Sequence, residues 1–549
     1  MARMMLISYA GYPFAPGSLM PDNGLANLAG ALIENGHEVL ILDFGTIETL
    51  KRLYPPRLAR SAFSYAQKVF GDTGYRPGPR DYLFLRLLEY RLRHHQEAEI
   101  HLISREVVGM VKSFQPHVVG FKLWTGDGFT GSLLIARELK KTFPSISICA
   151  GGPHVDLFRN LIFEKAPFFD VLVFGDGEET IVQLVEKLVA DTSPTGIPNL
   201  IYRDGAGVKT TELRWIERLD DLPEPIYDPE VYPSMAGDEK IKIITVDESR
   251  GCFMGCYFCC HSRKSGARLR IRKPDNFVSL LERLKKSGRF RTFRYAGSST
   301  PTKFARRVAE DLLKRGLGID YSMFGNVRIS RGEDFEVLRK SGCRAIFFGL
   351  ESGDQEILIR GLGKNFKVEK AESVLTACRD SGIFTIASVI FPAPFESDTS
   401  RRNTLEFLSR VKPDSVIVTF PLLAPTTDWW KEPERFGFTV KSPNIAKDAM
   451  NYKIKWLFPP RFWKPLPYKL NGKGFRKFTR ETTEFTRQLK ASGLLIGMSD
   501  DLALMAHLGG YKSNKGDFLD MVRMIYFSGQ WERALELNRA VNAAALVEG

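Results

Sequence analysis

Hydrophobic positions fall along the chain in two alternating registers. Met4 to Tyr9 is a short apolar run that reads as a buried strand, followed by a Gly/Pro loop through Pro16 and Gly17. Asp22 offers an N-cap to a helix with Leu25, Leu28, Ala29 and Leu32 on one face, stopped by Gly36. A second strand, Val39 to Leu42, ends at Asp43. This β-α-β opening predicts a parallel sheet wound with helices. Residues 50–110 interrupt it with a basic, Tyr/Leu-rich helical insertion, clearest from Asp81 to Glu97. The pattern then resumes with strand Val118–Leu123, a helix from about Gly131 to Lys141, and strand Ile146–Ala150, which ends at Gly151-Gly152-Pro153-His154. Strand Val171–Phe174 leads into Gly175-Asp176-Gly177-Glu178-Glu179 and a helix ending near Ala190. Leu200–Gly205 reads as a hairpin turn, and Pro-rich residues 223–233 as the core of a linker over 223–240.

Past the linker, apolar β-branched runs recur at Ile241–Val246, Thr292–Ala296, Gly318–Phe324, Ala345–Leu350, Ile383–Phe391 and Ser415–Phe420, with helical segments between them. Six parallel strands of this kind make a partial (β/α) barrel over 241–425, whose carboxyl-end loops carry its chemistry. Polar clusters stand at those ends: Gly297-Ser298-Ser299-Thr300-Pro301, Asn326-Val327-Arg328, Glu351-Ser352-Gly353-Asp354 and Pro392–Glu396. Residues 426–549 read as a mainly helical substrate or capping domain, helical from Glu481 to about Ala545 and broken at Asp500-Asp501 and Gly509-Gly510. The fold class is α/β: a Rossmann-like domain over 1–222, the partial TIM-type barrel, and a helical C-terminal domain.

Composition narrows the setting. The 549 residues allow several cores, and hydrophobic and charged fractions of 44% and 26% are ordinary for a globular protein. The longest apolar runs, such as Ile383–Phe395, are too short and proline-broken to span a bilayer. Met1-Ala2-Arg3 runs directly into a strand, without the features of a secretory signal. Seven cysteines, four of them within Cys252–Cys260, do not form a disulfide framework, so a reducing cytoplasm is expected. The net charge of +14 fits nucleic acid, an anionic membrane surface, an acidic substrate or simply a solvated basic surface. Lys453 to Arg480 mixes Trp456, Phe458, Phe462, Trp463, Tyr468, Phe475 and Phe478 with Lys and Arg and no acid. Its prolines (Pro459, Pro460, Pro465, Pro467) oppose a long amphipathic helix, so it reads as an ordered loop lining a substrate opening or as packing.

The chemistry centres on Ser249–Cys260, where Cys252, Cys256 and Cys259 have the spacing C-x3-C-x2-C directly after a strand. Soft thiolates on one loop suit an iron–sulfur cluster, and three ligands leave one iron of a [4Fe–4S] cube open. Zinc with His261 as fourth ligand and a group of buried free cysteines are the alternatives. With Phe258 before the last cysteine, the motif resembles the radical S-adenosylmethionine (SAM) superfamily. That resemblance implies that the open iron is chelated by the amino and carboxylate groups of SAM and that the reduced cluster cleaves it to a 5′-deoxyadenosyl radical. Cys260 is extra and expected in packing. Gly349-Leu350-Glu351-Ser352-Gly353 matches the G-x-E-S-G of this class, and Cys343 fits its a-G-C pattern as a core residue. By the same resemblance Gly297, Ser298, Ser299 and Thr300 hold the SAM amino group, Arg328 its carboxylate, and Glu351 the ribose or amino group, with Phe258 and Ser388 beside them.

The N-terminal domain resembles the cobalamin-binding (B12) domain found ahead of many radical SAM cores. Gly36-His37-Glu38-Val39, Gly120-Phe121, Gly151-Gly152 and Gly175–Glu178 carry the match, and small residues at strand ends let a large planar ligand approach the backbone. The resemblance implies contacts from Phe121, Leu123, Trp124, Thr125, Gly151, Gly152, His154, Gly175, Gly177 and Glu178. Two features depart from it: Gly11-Tyr12-Pro13-Phe14-Ala15 stands where other B12 proteins carry the cobalt-ligating Asp-x-His-x-x-Gly, and Phe121 replaces the usual serine. Trp124 is the candidate to cover the lower face of the cobalt, with sheet-end packing as its other reading.

Over residues 1–425 the resemblance implies a cobalamin-dependent radical SAM methyltransferase acting on an unactivated carbon of a small-molecule, natural-product, peptide or lipid substrate. In that family one SAM methylates the cobalamin and a second yields the radical that activates the substrate carbon. An external electron donor of flavodoxin or ferredoxin type is implied, with no DNA partner; the basic aromatic segment leaves room for peripheral membrane contact. The alternatives are a radical SAM coupling or ring-changing enzyme with an empty B12-like domain, and a non-catalytic cobalamin or redox sensor.

Overall fold

A computed structural model of the chain describes residues 1–10, 14–205 except 72–76, 207–455 and 457–547, with backbone only at 69–71. Gly11-Tyr12-Pro13 of the atypical loop and Trp456 of the basic segment lie outside the described residues.

The first sheet takes its strands from β1 (Arg3–Ser8), β2 (Glu38–Asp43), β3 (Val118–Lys122), β4 (Ser147–Gly151), β5 (Val171–Val173), β6 (Leu200–Asp204) and β7 (Gly207–Thr210), in the order β2-β1-β3-β4-β5-β6-β7. β1 to β5 are parallel, and the β6–β7 hairpin adds two antiparallel strands at one edge. The strand order reverses between β1 and β3, the place where open α/β sheets hold ligands at their carboxyl ends. Helix α1 (Asn23–Glu34) begins where the sequence places its cap: the Asp22 carboxylate accepts from the Leu25 amide at 3.1 Å.

The insertion is three helices: α2 (Ile47–Leu53), α3 (Pro56–Gly71) and the 36-residue α4 (Pro79–Phe114). α4 is longer than its clearest stretch suggests because its two halves bury against different neighbours. Ile100, Ile103, Val107 and Val111 join the sheet-side core with Phe129, Ile135 and Leu139 of α5 (Asp127–Thr142). Leu85, Leu88 and Leu92 pack instead with C-terminal residues such as Phe518, Val522 and Trp531.

Six parallel strands form the second sheet: β8 (Ile244–Val246), β11 (Thr292–Tyr295), β12 (Asp320–Gly325), β13 (Cys343–Glu351), β14 (Phe384–Ile390) and β15 (Ser415–Thr419), in that sequential order; a small ribbon, β9 (Ser249–Arg250) with β10 (Arg270–Ile271), lies between β8 and β11. Cys343 is fully buried in its core, and among the described residues no helix is long and apolar enough to cross a membrane.

Two expectations for the C-terminus are corrected. The last helical region begins at Phe475, six residues before Glu481, because the prolines end at Pro467. Asp500-Asp501 does not break a helix; it opens the helix Asp500–Leu508, which packs on β12, β13 and β14. The Asp500 carboxylate is tied down by Arg294 of β11 at 2.7 and 2.9 Å and by the Ser322 hydroxyl at 2.9 Å, so a buried acid at the helix start is compensated.

Candidate active site

The cysteine loop is built by backbone constraints at both ends. Gly251 has φ +81°, and a Cβ there would lie 2.1 Å from the Arg268 carbonyl oxygen, so glycine alone fits. The Cys252 amide donates to the Gly266 carbonyl at 3.0 Å and the Tyr257 amide to Leu362 at 3.0 Å. Trp429 locks the far side: its amide donates to Tyr257, its indole Nε1 donates to Gly361 at 2.9 Å, and its ring lies 5.7 Å from that of Phe258.

Burial pushes the Cys259 thiol up to about 12 and raises Cys256, and each of these two thiols lies within the electrostatic reach of Cys252. As free thiols these residues stay protonated at neutral pH, and coordination to a metal is what converts such groups to thiolates. Among the described residues no three His, Cys, Asp or Glu side chains converge as ligands of one metal ion. A four-iron cube needs no such convergence, since it meets its cysteines at separate corners. The donor set therefore fits the cluster. His261 does not complete the set: its amide donates to Cys259 Sγ at 3.4 Å, but its imidazole lines another cavity, and burial lowers its pKa to about 4. Cys260 is half-buried at the start of the short helix His261–Ser265, which packs against α6 (Pro153–Phe158) of the first domain.

The loops after the barrel strands gather around the cysteines. Ser299 Oγ stands 3.6 Å from Cys252 Sγ and accepts from Asn326 Nδ2 at 3.1 Å; the Ser298 hydroxyl donates to the Gly251 carbonyl at 3.4 Å. Gly297 and Thr300 turn away to Glu248, which accepts from the Gly297 amide at 2.9 Å and the Thr300 hydroxyl at 2.5 Å. Glu248 was not singled out in the sequence. It is fully buried, and burial raises its pKa to about 7 despite those hydrogen bonds. Glu351 has φ +70° where the β13–β14 register slips, with Lys364 Nζ 3.5 Å away and Ser388 as a hydrogen-bond partner; burial outweighs the lysine and raises its pKa. Arg328 is exposed, with its guanidinium 3.8 Å from Met254 Sδ, and it lines a cavity of about 400 Å³ together with Cys256 and Lys364.

A second cavity, of about 270 Å³, lies between the carboxyl half of the first sheet, α1, α8 (Glu178–Val189) and the approach to the cysteine loop. Met4, Leu6, Gly120, Cys149 and Val173 form its apolar wall; Asp176, Glu178, Asp247 and Arg250 form its polar wall. A Cβ at Gly120 would lie 2.7 Å from Met4 Cε and 3.1 Å from Leu6 Cδ2, so the glycine keeps space open along that wall. Arg250, two residues before Cys252, joins the domains: its guanidinium donates to Glu178 at 2.6 and 3.2 Å, to Asp247 at 2.7 Å and to Asp176 at 3.3 Å. Arg270 also binds Asp176. Burial alone would raise Asp247, but Arg250 overrides it and holds the carboxyl below its usual range.

The radical SAM superfamily model matches residues 249–408, and the B12 binding domain model matches residues 88–185. The chain carries a radical SAM domain and, ahead of it, a B12-binding domain. Its cofactors are accordingly a [4Fe–4S] cluster, SAM and cobalamin. An uncharacterized methyltransferase of Pyrococcus horikoshii, PH0819, is 24% identical over 60% of this chain and 72% of its own length. The anaerobic magnesium-protoporphyrin IX monomethyl ester cyclase of Rubrivivax gelatinosus is 26% identical over 64% of this chain and 65% of its own. The radical SAM methyltransferase TsrM of Kitasatospora setae, solved with cobalamin and a [4Fe–4S] cluster, superposes with a TM-score of 0.66 over 97% of this chain and 99% of that one, at 15% identity, a likeness of fold.

The sequence-predicted cobalamin residues divide into two groups. Gly151, Gly152, Gly175, Gly177 and Glu178 line the cavity beside Arg250; Phe121 borders it, but its side chain packs in the core on the other face of the sheet, against Phe169. Leu123 and His154 do not: Leu123 is fully buried in the core on the other face of the sheet, and His154 is buried between Phe129 and Phe158, ring centroids 4.2 and 4.6 Å away. Burial lowers the His154 pKa to about 3, which suits an apolar packing position and removes it as a charged group. Trp124 is half-buried with Lys122 Nζ 4.5 Å above its ring, and Thr125 lines a separate apolar cavity toward the C-terminal segment. Asp247 and Arg250 escaped the sequence reading, because a lone Asp-x-x-Arg carries no signal of a partner 72 residues away.

Proposed function

We propose that this enzyme is a cobalamin-dependent methyltransferase that places a methyl group on an unactivated substrate carbon by radical chemistry. The observation that carries the reading is the shared wall between the two cofactor regions: Arg250 belongs to the cysteine loop and to the cavity of the B12-binding domain at once. When bound, the cluster supplies the electron that cleaves SAM, and cobalamin carries the methyl group. Cys252, Cys256 and Cys259 hold the cluster; Ser298 and Ser299 offer hydroxyls, and Arg328 a guanidinium, to the amino and carboxylate ends of SAM. Glu351, oriented by Ser388 and Lys364, accepts from the ribose or amino group. Glu248 fixes the Gly297–Thr300 turn from beneath. In this reading residues 1–222 bind cobalamin, 223–240 link the domains, 241–425 form the radical SAM core and 426–549 complete the substrate side and exclude water.

The test is cobalamin and iron per chain after anaerobic purification from a B12-supplied host, followed by product analysis under strong reductant. Near-stoichiometric cobalamin with S-adenosylhomocysteine beside deoxyadenosine is expected, and C252A, C256A or C259A each abolish bound iron and deoxyadenosine. Deoxyadenosine formed by such a variant refutes the cluster assignment. Similarity to the R. gelatinosus cyclase favours a second reading, ring formation or coupling without methyl transfer. Deoxyadenosine without S-adenosylhomocysteine would select it.

A further inference from the structure

A cavity of about 1090 Å³ lies in neither cofactor region; it opens between α4, the Pro459–Trp463 turn and the helix Phe475–Ala491. Arg86, Arg461, Arg476 and Arg480 line it, each solvent-exposed, and among the described residues none is within ion-pair distance of a carboxylate. The two acids there are already occupied: Glu89 by Lys455 at 2.7 Å, and Glu484 by Arg487. Aromatic side chains alternate with the cations, and the Arg461 guanidinium lies 3.2 Å from the centroid of the Tyr82 ring. Guanidinium groups with free donor forks, held beside aromatic faces, match phosphate oxygens in charge and geometry.

This groove does not stand alone. It shares Glu89 with a cavity of about 150 Å³ walled by Leu92, Ile100, Ile454 and Phe458. That cavity in turn shares Asp127 and Ile454 with an apolar one of about 160 Å³. The third cavity touches Thr125 and Gly126, just past β3 of the first sheet, and Leu422–Pro425, just past β15 of the second. A basic mouth thus adjoins an apolar course that ends where the carboxyl edges of the two sheets meet.

We propose that the arginine groove receives the phosphate-bearing head of an amphiphilic substrate whose apolar body occupies the two smaller cavities. The inference rests on the methyl-transfer reading only for calling that ligand the substrate; the binding site stands on its own geometry. The probe is dodecyl phosphate below its micelle concentration, titrated calorimetrically into protein loaded with cobalamin and cluster. The expected result is binding at least tenfold tighter than that of dodecyl maltoside, displaced by inorganic pyrophosphate and weakened by rising salt. R476E/R480E, altering two exposed side chains, weakens dodecyl phosphate at least tenfold with cobalamin content unchanged. Ile454→Trp, which fills the apolar course, weakens dodecyl phosphate but not pyrophosphate.

Equal binding of dodecyl phosphate by wild type and R476E/R480E, or none by wild type, overturns the proposal. So does sedimentation with dioleoylphosphatidylglycerol vesicles in the absence of monomer binding, which would make the arginines a membrane-docking face instead of a head-group site. S-adenosylhomocysteine formation is read separately: its absence with phosphate binding intact overturns the proposed reaction and leaves the groove assignment in place.

Discussion

Replacing Arg250 by Met isolates the link between the two cofactor regions. The guanidinium makes a two-pronged contact with Glu178, a 2.7 Å contact with Asp247 and a 3.3 Å contact with Asp176. In R250M, Asp176 keeps Arg270, and Asp247 keeps hydrogen bonds from the Asn23 and Asn27 amides at 3.2 and 2.9 Å. Glu178 loses its only ion pair among the described residues and stays buried. Removing one partner of a buried pair costs about 3–5 kcal/mol because the other charge is stranded. In a chain of this size that lowers Tm by up to about 10 °C, at about 2 °C per kcal/mol. Expressed as cobalamin affinity, the same energy is a factor of about 10² to 4 × 10³, at tenfold per 1.4 kcal/mol. The assay is cobalamin and iron per chain with the melting midpoint. Sub-stoichiometric cobalamin, near-normal iron and a lowered Tm are expected, and E178Q added to R250M should recover part of the Tm by removing the stranded charge. R250M with full cobalamin and a Tm within about 1 °C of wild type would refute the reasoning, showing that water replaces the guanidinium at no cost.

Gly120→Val should expel cobalamin while sparing iron, because the new side chain enters the cavity against Met4 and Leu6 on a strand position with no positive φ, where valine is otherwise favoured; retained cobalamin would move the cofactor elsewhere. Stability should fall as pH rises from about 4.5 to 7, since Glu248 and Glu396 have native pKa values raised by burial to about 7 from 4.5. The native state holds their protons longer than the unfolded chain does, so each contributes a loss that grows as pH rises from the unfolded value through about 7, reaching about 3 kcal/mol per group by pH 8. His154, His261 and His507, all depressed by burial, oppose this below about pH 6.5, where the unfolded chain protonates first. Melting midpoints from pH 5 to 9 should therefore peak near pH 6.5 and level off above about 7.5; Glu248→Gln should gain stability relative to wild type as pH rises from 5 to 7.5, and a difference between the two that does not change with pH would mean that Glu248 is ionised in the fold.

The sequence disclosed what local chemistry determines. The Asp22 cap needs only its own helix, the parallel strands announce themselves because both of their faces are buried, and the three cysteines we assign to the cluster lie within eight residues. What stayed hidden depends on partners distant along the chain. Asp500 looks like a helix breaker until Arg294, 206 residues away, neutralises it. Glu248 looks like an ordinary acid beside a strand until the Gly297–Thr300 turn folds over it. His154 carries the letter expected of a polar site residue, yet it lies beneath the loop among phenylalanines, a placement that depends on the helix Asp127–Thr142 as well as on its own.

The insertion and the C-terminal region, which interrupt or follow the two recognisable domains, acquire a joint purpose from their packing. Neither α3 nor α4 can bury its apolar face against the first sheet along its whole length, and the C-terminal helices supply the missing partner. Tyr54 shows how tight that union is: its hydroxyl donates to the Phe527 carbonyl at 3.0 Å, while its own carbonyl accepts from Trp531 Nε1 at 2.7 Å. The same C-terminal region contributes the helix that covers β12 to β14 and Lys453, whose ammonium pairs with Asp127 past β3 at 3.0 Å. A segment fixed to both sheets holds their carboxyl edges at one separation. The chemistry we propose, on an unactivated carbon, needs that: the reacting groups must meet within a narrow distance, and water must stay out. The arginine groove lies along this brace, so a ligand head bound there is held at a set distance from the place where the sheets meet.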